Sequence, residues 1–245
     1  MLSVQQRFNN ASQTYDDVAA VQRMSARKLC ELIMAQGTQQ SYTSVLDLGA
    51  GTGCMTETLL SYLADSTFTL ADFAPSMLSR AAEKLERYTN LYYQCADFST
   101  YPFGFHDLTV SNLALQWIEN WQEVITRYFK NTHTLAFSCL LAGTFDDWYN
   151  LFNEDNDVQF NMKYPEEGTI LEFLKTLDAE IVTLSETYPL SFANPQAFMR
   201  YLKALGASKT KANIPLPLLK KILAHATPIH VKYRIFYGVI RPWSS

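Results

Sequence analysis

The chain is short of the residues that several common chemistries need. Its four cysteines, at 30, 54, 95 and 139, are too dispersed for a Cys-x-x-Cys metal or redox motif, and they predict separate buried thiols in a reducing compartment. The four histidines, at 106, 133, 225 and 230, are scattered, so each is read as structural or solvated and no bound metal is expected. No apolar run approaches the roughly 20 residues needed to cross a bilayer. Met1 to Asn10 holds no basic segment followed by an apolar stretch, so a soluble, cytoplasmic protein is expected. Internal repeats and low-complexity segments are also missing.

Acid is missing from one region only. Residues 200–245 hold nine Lys/Arg and no Asp/Glu, whereas residues 1–199 hold 11 Lys/Arg against all 24 Asp/Glu. Such a division marks either a solvated basic surface or a contact with something negative: nucleic acid, a membrane surface or an acidic protein. Nucleic acid fits poorly. The protein is acidic overall at −4, its aromatics do not alternate with basic residues as a stacking platform would, and no Asn-Pro-Pro-Tyr type of motif follows the fourth strand. At 245 residues and 48% hydrophobic content the chain can bury the core of one α/β domain plus a small appendage.

The most informative stretch is Val45-Leu46-Asp47-Leu48-Gly49-Ala50-Gly51-Thr52-Gly53, which predicts a strand, a tight turn and the start of a helix over Met55 to Leu63. Glycine suits a turn under a ligand because it allows left-handed backbone angles and close approach of the main chain. The spacing is G-x-G-x-G, not the G-x-G-x-x-G of a pyrophosphate loop. Asp47, two residues before Gly49, suits a cationic ligand rather than an anion. A structural strand-to-helix turn remains the alternative.

Two more acids follow at strand ends. Ser66–Ala71 predicts a second strand ending at Asp72, nineteen positions after Gly53, the separation at which a doubly wound fold places a ribose-binding carboxylate. Leu91–Ala96 predicts a third, stopping at Asp97-Phe98, a carboxylate and ring suited to an adenine. Any one acid at a strand end is commonly a solvated loop residue, but three in series at βα spacing point to a nucleoside-like ligand with a cationic group.

The remaining pattern is α/β throughout. A helical stripe runs from Phe8, Ala11 and Tyr15 through Val18, Val21, Ser25, Leu29, Leu32 and Ile33 to Gly37. Tyr15 either covers a pocket mouth or staples the first helix. Asp107–Ser111 predicts the fourth strand and Asn112–Trp117 a segment bordering the ligand, with Trp117 equally suited to helix packing. A helix is predicted over Trp121–Phe129, a fifth strand over Thr134–Ser138, helix over Gly143–Leu177 with an acidic, aromatic-rich connection at Asn153–Tyr164, and a sixth strand over 180–192. Asn194–Gly206 follows as a helix with an Asn cap and a Pro start. Then come a basic loop, Ser208–Asn213, a short helix ending near His225, and a last strand over Val231–Ile240.

The three acids and the glycine turn resemble the class I S-adenosylmethionine-dependent methyltransferases over about residues 40 to 140. The outer segments narrow the likeness: Arg7-Phe8 with Ala11, Tyr15 and Gln22-Arg23; Ser111-Asn112-Leu113-Ala114-Leu115-Gln116-Trp117; Phe137-Ser138 with Leu140-Leu141 and Gly143; Met199-Arg200-Tyr201-Leu202-Lys203-Ala204-Leu205-Gly206-Ala207; and Phe236-Tyr237-Gly238-Val239-Ile240. Together they look like the malonyl-carrier-protein O-methyltransferase family of biotin synthesis. The turn Lys130-Asn131-Thr132-His133 departs from the Pro-Gly-Gly type common in such enzymes, which leaves the cofactor acids untouched.

The resemblance implies one α/β domain over 1–245, doubly wound, with a mostly parallel seven-stranded Rossmann-like sheet and an antiparallel last strand. It implies lid helices over 1–37 and a helical cap over 193–228 between strands six and seven. S-adenosyl-L-methionine would be held by Asp47, Gly49, Gly51, Gly53, Asp72, Asp97, Phe98, Asn112 and Leu113, with S-adenosyl-L-homocysteine as product. The implied reaction esterifies the carboxylate of a malonyl thioester, Arg200 recognising that group by a planar fork and Tyr15 and Gln116 completing the donor set. Arg200 as a plain surface residue is the alternative. An acidic acyl carrier protein would dock on Lys203, Lys209, Lys211, Lys220 and Lys221. Methylation of another small molecule, such as a quinone or phenol precursor, is the competing activity, and it needs a proton acceptor.

Overall fold

A computed structural model of the chain describes residues 3–36, 42–152, 164–207 and 214–243. Seven strands, β1 (Ser44–Leu48), β2 (Thr67–Asp72), β3 (Leu91–Cys95), β4 (His106–Asn112), β5 (Thr132–Leu140), β6 (Ala179–Phe192) and β7 (Ile229–Pro242), form one sheet in the order β3-β2-β1-β4-β5-β7-β6. β1 to β5 pair in parallel, and β7 runs antiparallel to both β5 and β6. This is the doubly wound sheet that the sequence predicts, antiparallel last strand included. The strand order reverses between β1 and β4, which opens a crevice beyond their carboxyl ends.

The central strands are apolar because both faces are covered. Successive side chains point to opposite faces. Val45 packs into the cluster completed by α3 (Ala20–Ala35) and α4 (Cys54–Leu60), while Leu46 and Leu48 pack into the one completed by α6 (Trp121–Phe129). All three are at most 1% exposed. On the far side of β2, α5 (Pro75–Lys84) starts at a proline, whose missing N–H costs nothing at a first helical position.

The N-terminal stripe, read as a helical run with lid helices over 1–37, is divided into three. It forms α1 (Val4–Ala11), α2 (Tyr15–Val18) and then α3, broken where the Thr14 hydroxyl donates to the Ala11 and Ala204 carbonyls and where Ala19 leaves helical angles. The break turns α1 across the crevice. Gln5 Nε2 donates to the Phe73 carbonyl, the Ser76 amide donates to Asn9 Oδ1, and Phe8 meets Phe73 and Trp117 edge-on.

Between β5 and β6 the predicted helical stretch resolves into α7 (Asp146–Asn150) and α8 (Glu167–Leu174), and nearly all of the predicted acidic connection lies outside the described residues. β6 and β7 are longer than the sequence predicts, pairing from Ala179↔Pro242 to Phe192↔Ile229. Pro189 is accommodated because β6 is an edge strand. Between these two strands lie α9 (Pro195–Ala204), capped by Asn194 Oδ1 accepting from the Ala197 amide, and α10 (Leu216–Leu223).

Phe198 joins these helices to the sheet. It is fully buried among the rings of Phe145, Trp148, Phe192 and Tyr201. Just beyond α9, Gly206 has φ of +68°, and a Cβ there would stand 3.1 Å from the Arg7 carbonyl oxygen on α1. Truncating Phe198 to Ala is therefore expected to lower unfolding free energy by about 3–5 kcal/mol in chemical denaturation. A loss below about 1 kcal/mol would show that the 193–228 segment packs on the sheet without it.

Candidate active site

The glycine turn after β1 has positive φ at Gly49, Gly51 and Gly53. At Gly49 no other residue fits, because a Cβ there would stand 2.4 Å from the Ala114 Cβ. The Gly49 and Ala50 amides donate to the Ala71 carbonyl, which ties the turn to β2.

Asp47, 1% exposed, lies under this turn. Its Oδ2 accepts from the Thr56 amide and hydroxyl, at 3.2 and 2.7 Å, whereas its Oδ1 is buried with no partner among the described residues. Burial pushes its carboxyl up to about 6, against the pull of Thr56 and with a smaller push from Asp72. Asp72, 6% exposed, accepts from the Gly51 amide at Oδ2 and from the Ala74 amide at Oδ1, and burial raises it to about 6 as well. With the Phe73 amide as a third backbone donor, the carboxylate still keeps a lone pair for a hydroxyl. Asp97 is exposed and accepts from the Ser99 amide, while Phe98 beside it is buried.

These groups line a cavity of about 260 Å³ together with Gly49, Gly51, Asn112, Leu113 and Trp117. Of the nine cofactor positions read from the sequence or its likeness, only Gly53 stands back from this wall, since it caps α4 and packs toward Leu85. Asn112 is engaged on all sides. Its Oδ1 accepts from Ser25 and Ser138, and its Nδ2 donates to the Gln22 carbonyl. Leu113 has φ of +51°, a strained angle for leucine, held by its amide donating to Ser138 and its carbonyl accepting from Gln116 Nε2.

A second cavity, about 60 Å³, adjoins the first, and Phe8, Tyr15, Gln22, Leu113 and Trp117 line both. Tyr15 therefore lies at the junction, its phenol kept protonated by burial first and then by neighbouring negative groups. Gln116 lines the smaller cavity. Arg200 does not line either one. It is exposed, while its neighbours Met199 and Leu202 on α9 face inward, so the helical phase turns the guanidinium to solvent. Among the described residues the smaller cavity has no Asp, Glu, Lys, Arg or His in its wall, and no His lines the larger one. The polar wall of the smaller cavity adds Trp148, Tyr149, Tyr164 and Tyr233 to Tyr15, Gln22 and Gln116, and none of those four is singled out by the sequence pattern. No grouping of three His, Cys, Asp or Glu among the described residues suits a metal, and no helix there is long and apolar enough to cross a membrane.

A methyltransferase-domain family matches residues 45–134. A malonyl-[acyl-carrier protein] O-methyltransferase of Neorickettsia risticii is 30% identical over 95% of this chain and 93% of its own length. The chain is a class I S-adenosylmethionine-dependent methyltransferase. Solved structures agree on the fold. The YcgJ protein of Bacillus subtilis superposes with a TM-score of 0.63 at 12% identity, covering 89% of this chain and 99% of its own. The magnesium protoporphyrin IX methyltransferase of Synechocystis, solved with S-adenosylmethionine, gives 0.52 at 14% identity, over 89% of this chain and 79% of its own.

The methyltransferase's own residues fit that cofactor. A buried, ionised acid with one unpartnered oxygen calls for a cationic donor, which the cofactor's ammonium group would supply, and Asp72 would accept from a ribose hydroxyl. With each carboxyl raised about two units, its ionised form opposes the fold by roughly 3 kcal/mol. That cost is present above about pH 6 and vanishes below the unfolded value of 3.8. A cation binds the ionised form, so S-adenosylmethionine affinity measured by calorimetry is expected to weaken as pH falls through about 6, by up to about tenfold per unit for each acid that must lose a proton. A dissociation constant unchanged from about pH 7.5 to about pH 5 would contradict the assignment.

Proposed function

We propose that this methyltransferase esterifies the free carboxylate of a malonyl thioester carried by an acyl carrier protein. The observation that carries the reading is the uncharged cavity adjoining the cofactor cavity, seen in a chain 30% identical to a protein of that name. When bound, S-adenosylmethionine supplies a methyl group on a positively charged sulfur. A malonyl carboxylate is ionised at neutral pH. Its oxygen therefore provides the electron pair for the new O–CH3 bond, the C–S pair stays on sulfur, and no proton has to move. A phenolic acceptor needs a base, and no His, Asp, Glu or Lys among the described residues lines the smaller cavity, which argues against the quinone or phenol alternative.

The chain's residues then do three things. Tyr15 orients the acceptor oxygen as a donor rather than a base, since burial keeps its hydroxyl protonated, whereas Gln116 spends its Nε2 on the Leu113 carbonyl and leaves an unpartnered oxygen, so it braces Leu113 instead of completing the donor set. Helices α1 and α2 act as the lid over both cavities, with α9 and α10 as the cap beside it. Excluding water from two oppositely charged reactants and holding them in line are the main sources of rate, worth several kcal/mol.

Arg200, exposed on α9, belongs to the docking surface in this reading, not to the pocket. Lys203 on α9 and Lys220 and Lys221 on α10 are likewise exposed, around the 61%-exposed Leu216. Such a patch suits an acidic carrier by long-range attraction. Lys209 and Lys211 lie outside the described residues.

The direct test is incubation with radiolabelled methyl donor and malonyl carrier protein, followed by mild alkali. The label is expected to leave with ester hydrolysis, and label that survives alkali would rule out carboxyl methylation. Charge reversal of Lys203, Lys220 and Lys221 together is expected to raise KM for the carrier about tenfold at low salt with kcat little changed. An unchanged KM would remove the docking surface.

A further inference from the structure

The smaller cavity poses a physical question, because an anion is proposed to enter a space whose described wall holds no cation. One residue of that wall carries an unsatisfied donor. Trp148 is 1% exposed, and its Nε1 has no hydrogen-bond partner among the described residues. An indole N–H only donates, and leaving it buried and unpaired is unfavourable. Its ring is held firmly, stacked edge-on against Phe152 and Phe198. The strained Phe145, at φ of +64°, opens the short helix that carries it.

Phenols converge on the same space. Tyr15, Tyr164 and Tyr233 line the cavity, and the Tyr201 and Tyr233 hydroxyls share a hydrogen bond of 3.0 Å. They are close enough for Tyr201, Tyr164 and Tyr15 each to raise the Tyr233 phenol further, after burial, so all stay neutral donors at neutral pH. The polar atoms that oppose an anion are the buried, unpartnered oxygens Gln22 Oε1 and Gln116 Oε1. Donors therefore come from the Trp148 and tyrosine part of the wall, and acceptors from the glutamine part.

Resting on the carboxyl-methylation reading, we propose that Trp148 is the acceptor-binding residue of this enzyme: its indole N–H, with the phenols of Tyr15 and Tyr164, receives the acceptor's carboxylate in a cage of neutral donors. The choice has a catalytic logic. The carboxylate's charge disappears as the ester forms, so a fixed guanidinium would hold the ground state more tightly than the transition state and slow the step. Neutral donors orient the oxygens while losing less as that charge is neutralised, and a dry wall favours a reaction in which opposite charges cancel. It also gives specificity, because an uncharged acyl thioester leaves the Trp148 N–H unpaired.

The test uses the whole enzyme saturated with S-adenosylhomocysteine and labelled with 15N-indole tryptophan, the Trp148 resonance being assigned by its loss in Trp148→Phe. Monomethyl malonate, with one carboxylate, is expected to move that resonance downfield, whereas dimethyl malonate, with none, is expected to leave it in place. No movement with the monoester, or equal movement with the diester, overturns the cage. Kinetically, Trp148→Phe is expected to lose about tenfold in kcat/KM for malonyl carrier protein, with S-adenosylmethionine affinity and thermal stability close to wild type. If wild-type enzyme methylates malonyl carrier protein and Trp148→Phe does so equally well, the cage fails and the function stands. If wild type does not methylate it, the function fails, and the two malonate probes still decide the cage. Should Trp148→Phe not fold, Tyr164→Phe takes its place in the kinetics, and the probe titration of wild type remains decisive.

Discussion

Burying two carboxylates at neighbouring strand ends is the constraint on which the rest of this molecule depends. Asp47 and Asp72 lie at the ends of β1 and β2, almost without exposure, and burial disfavours the ionised form of each. Their backbone partners offset only part of that cost. The glycine turn must bend back tightly enough for the Gly51 amide to reach Asp72, and Thr56 in the first turn of α4 must reach Asp47. What these partners leave over is one unpartnered oxygen on Asp47. The crevice is thus organised around negative charge that the fold tolerates and that a cationic cofactor would relieve.

The helices over the crevice follow from the same site. Asp16, beside Tyr15, accepts from the Thr52 hydroxyl on the glycine turn and lies 3.8 Å from Lys84, so α2 is fastened to the cofactor loop itself. α1 is fastened to the loop after β2 through Gln5 and Asn9. The cap in turn contacts α1 at Gly206 and reaches the sheet through Phe198. Helices α1 and α2 are therefore tied to the loops beside the acids, and α9 reaches them through α1. The charged cavity and the uncharged one meet beneath Phe8 and Tyr15.

The cofactor half of the site was legible in the sequence because its signals are local. An acid at a strand end, glycines two apart and a βα spacing are all set by one stretch of chain, whereas the antiparallel last strand was implied only by the resemblance. Tyr15 and Gln116 also line the pockets. Arg200 was misread for a reason of helical phase: an amphipathic segment says that a residue lies on α9, but which flank meets the cavity depends on how the helix rolls against β6 and α1. The aromatic wall was not legible at all. Trp148, Tyr164 and Tyr233 are far apart in sequence and reach one space only through tertiary packing. A lone Trp in an acidic segment looks like core, and here it is core with one unsatisfied N–H. The break of the first helical stripe into α1, α2 and α3 depends on a bond from Thr14 to Ala204, which no local pattern contains.

The central claim is that Asp47 stays ionised at a cost to the fold so that the cofactor can bind. Asp47→Asn keeps the shape and an acceptor for Thr56 but removes the charge. Chemical denaturation of the cofactor-free protein near pH 8, set beside calorimetric titration with S-adenosylmethionine, measures both sides of that trade. The account expects the Asn variant to be more stable than wild type by on the order of 1–3 kcal/mol and to bind the cofactor at least tenfold more weakly. A variant less stable than wild type that keeps full affinity for S-adenosylmethionine would contradict it.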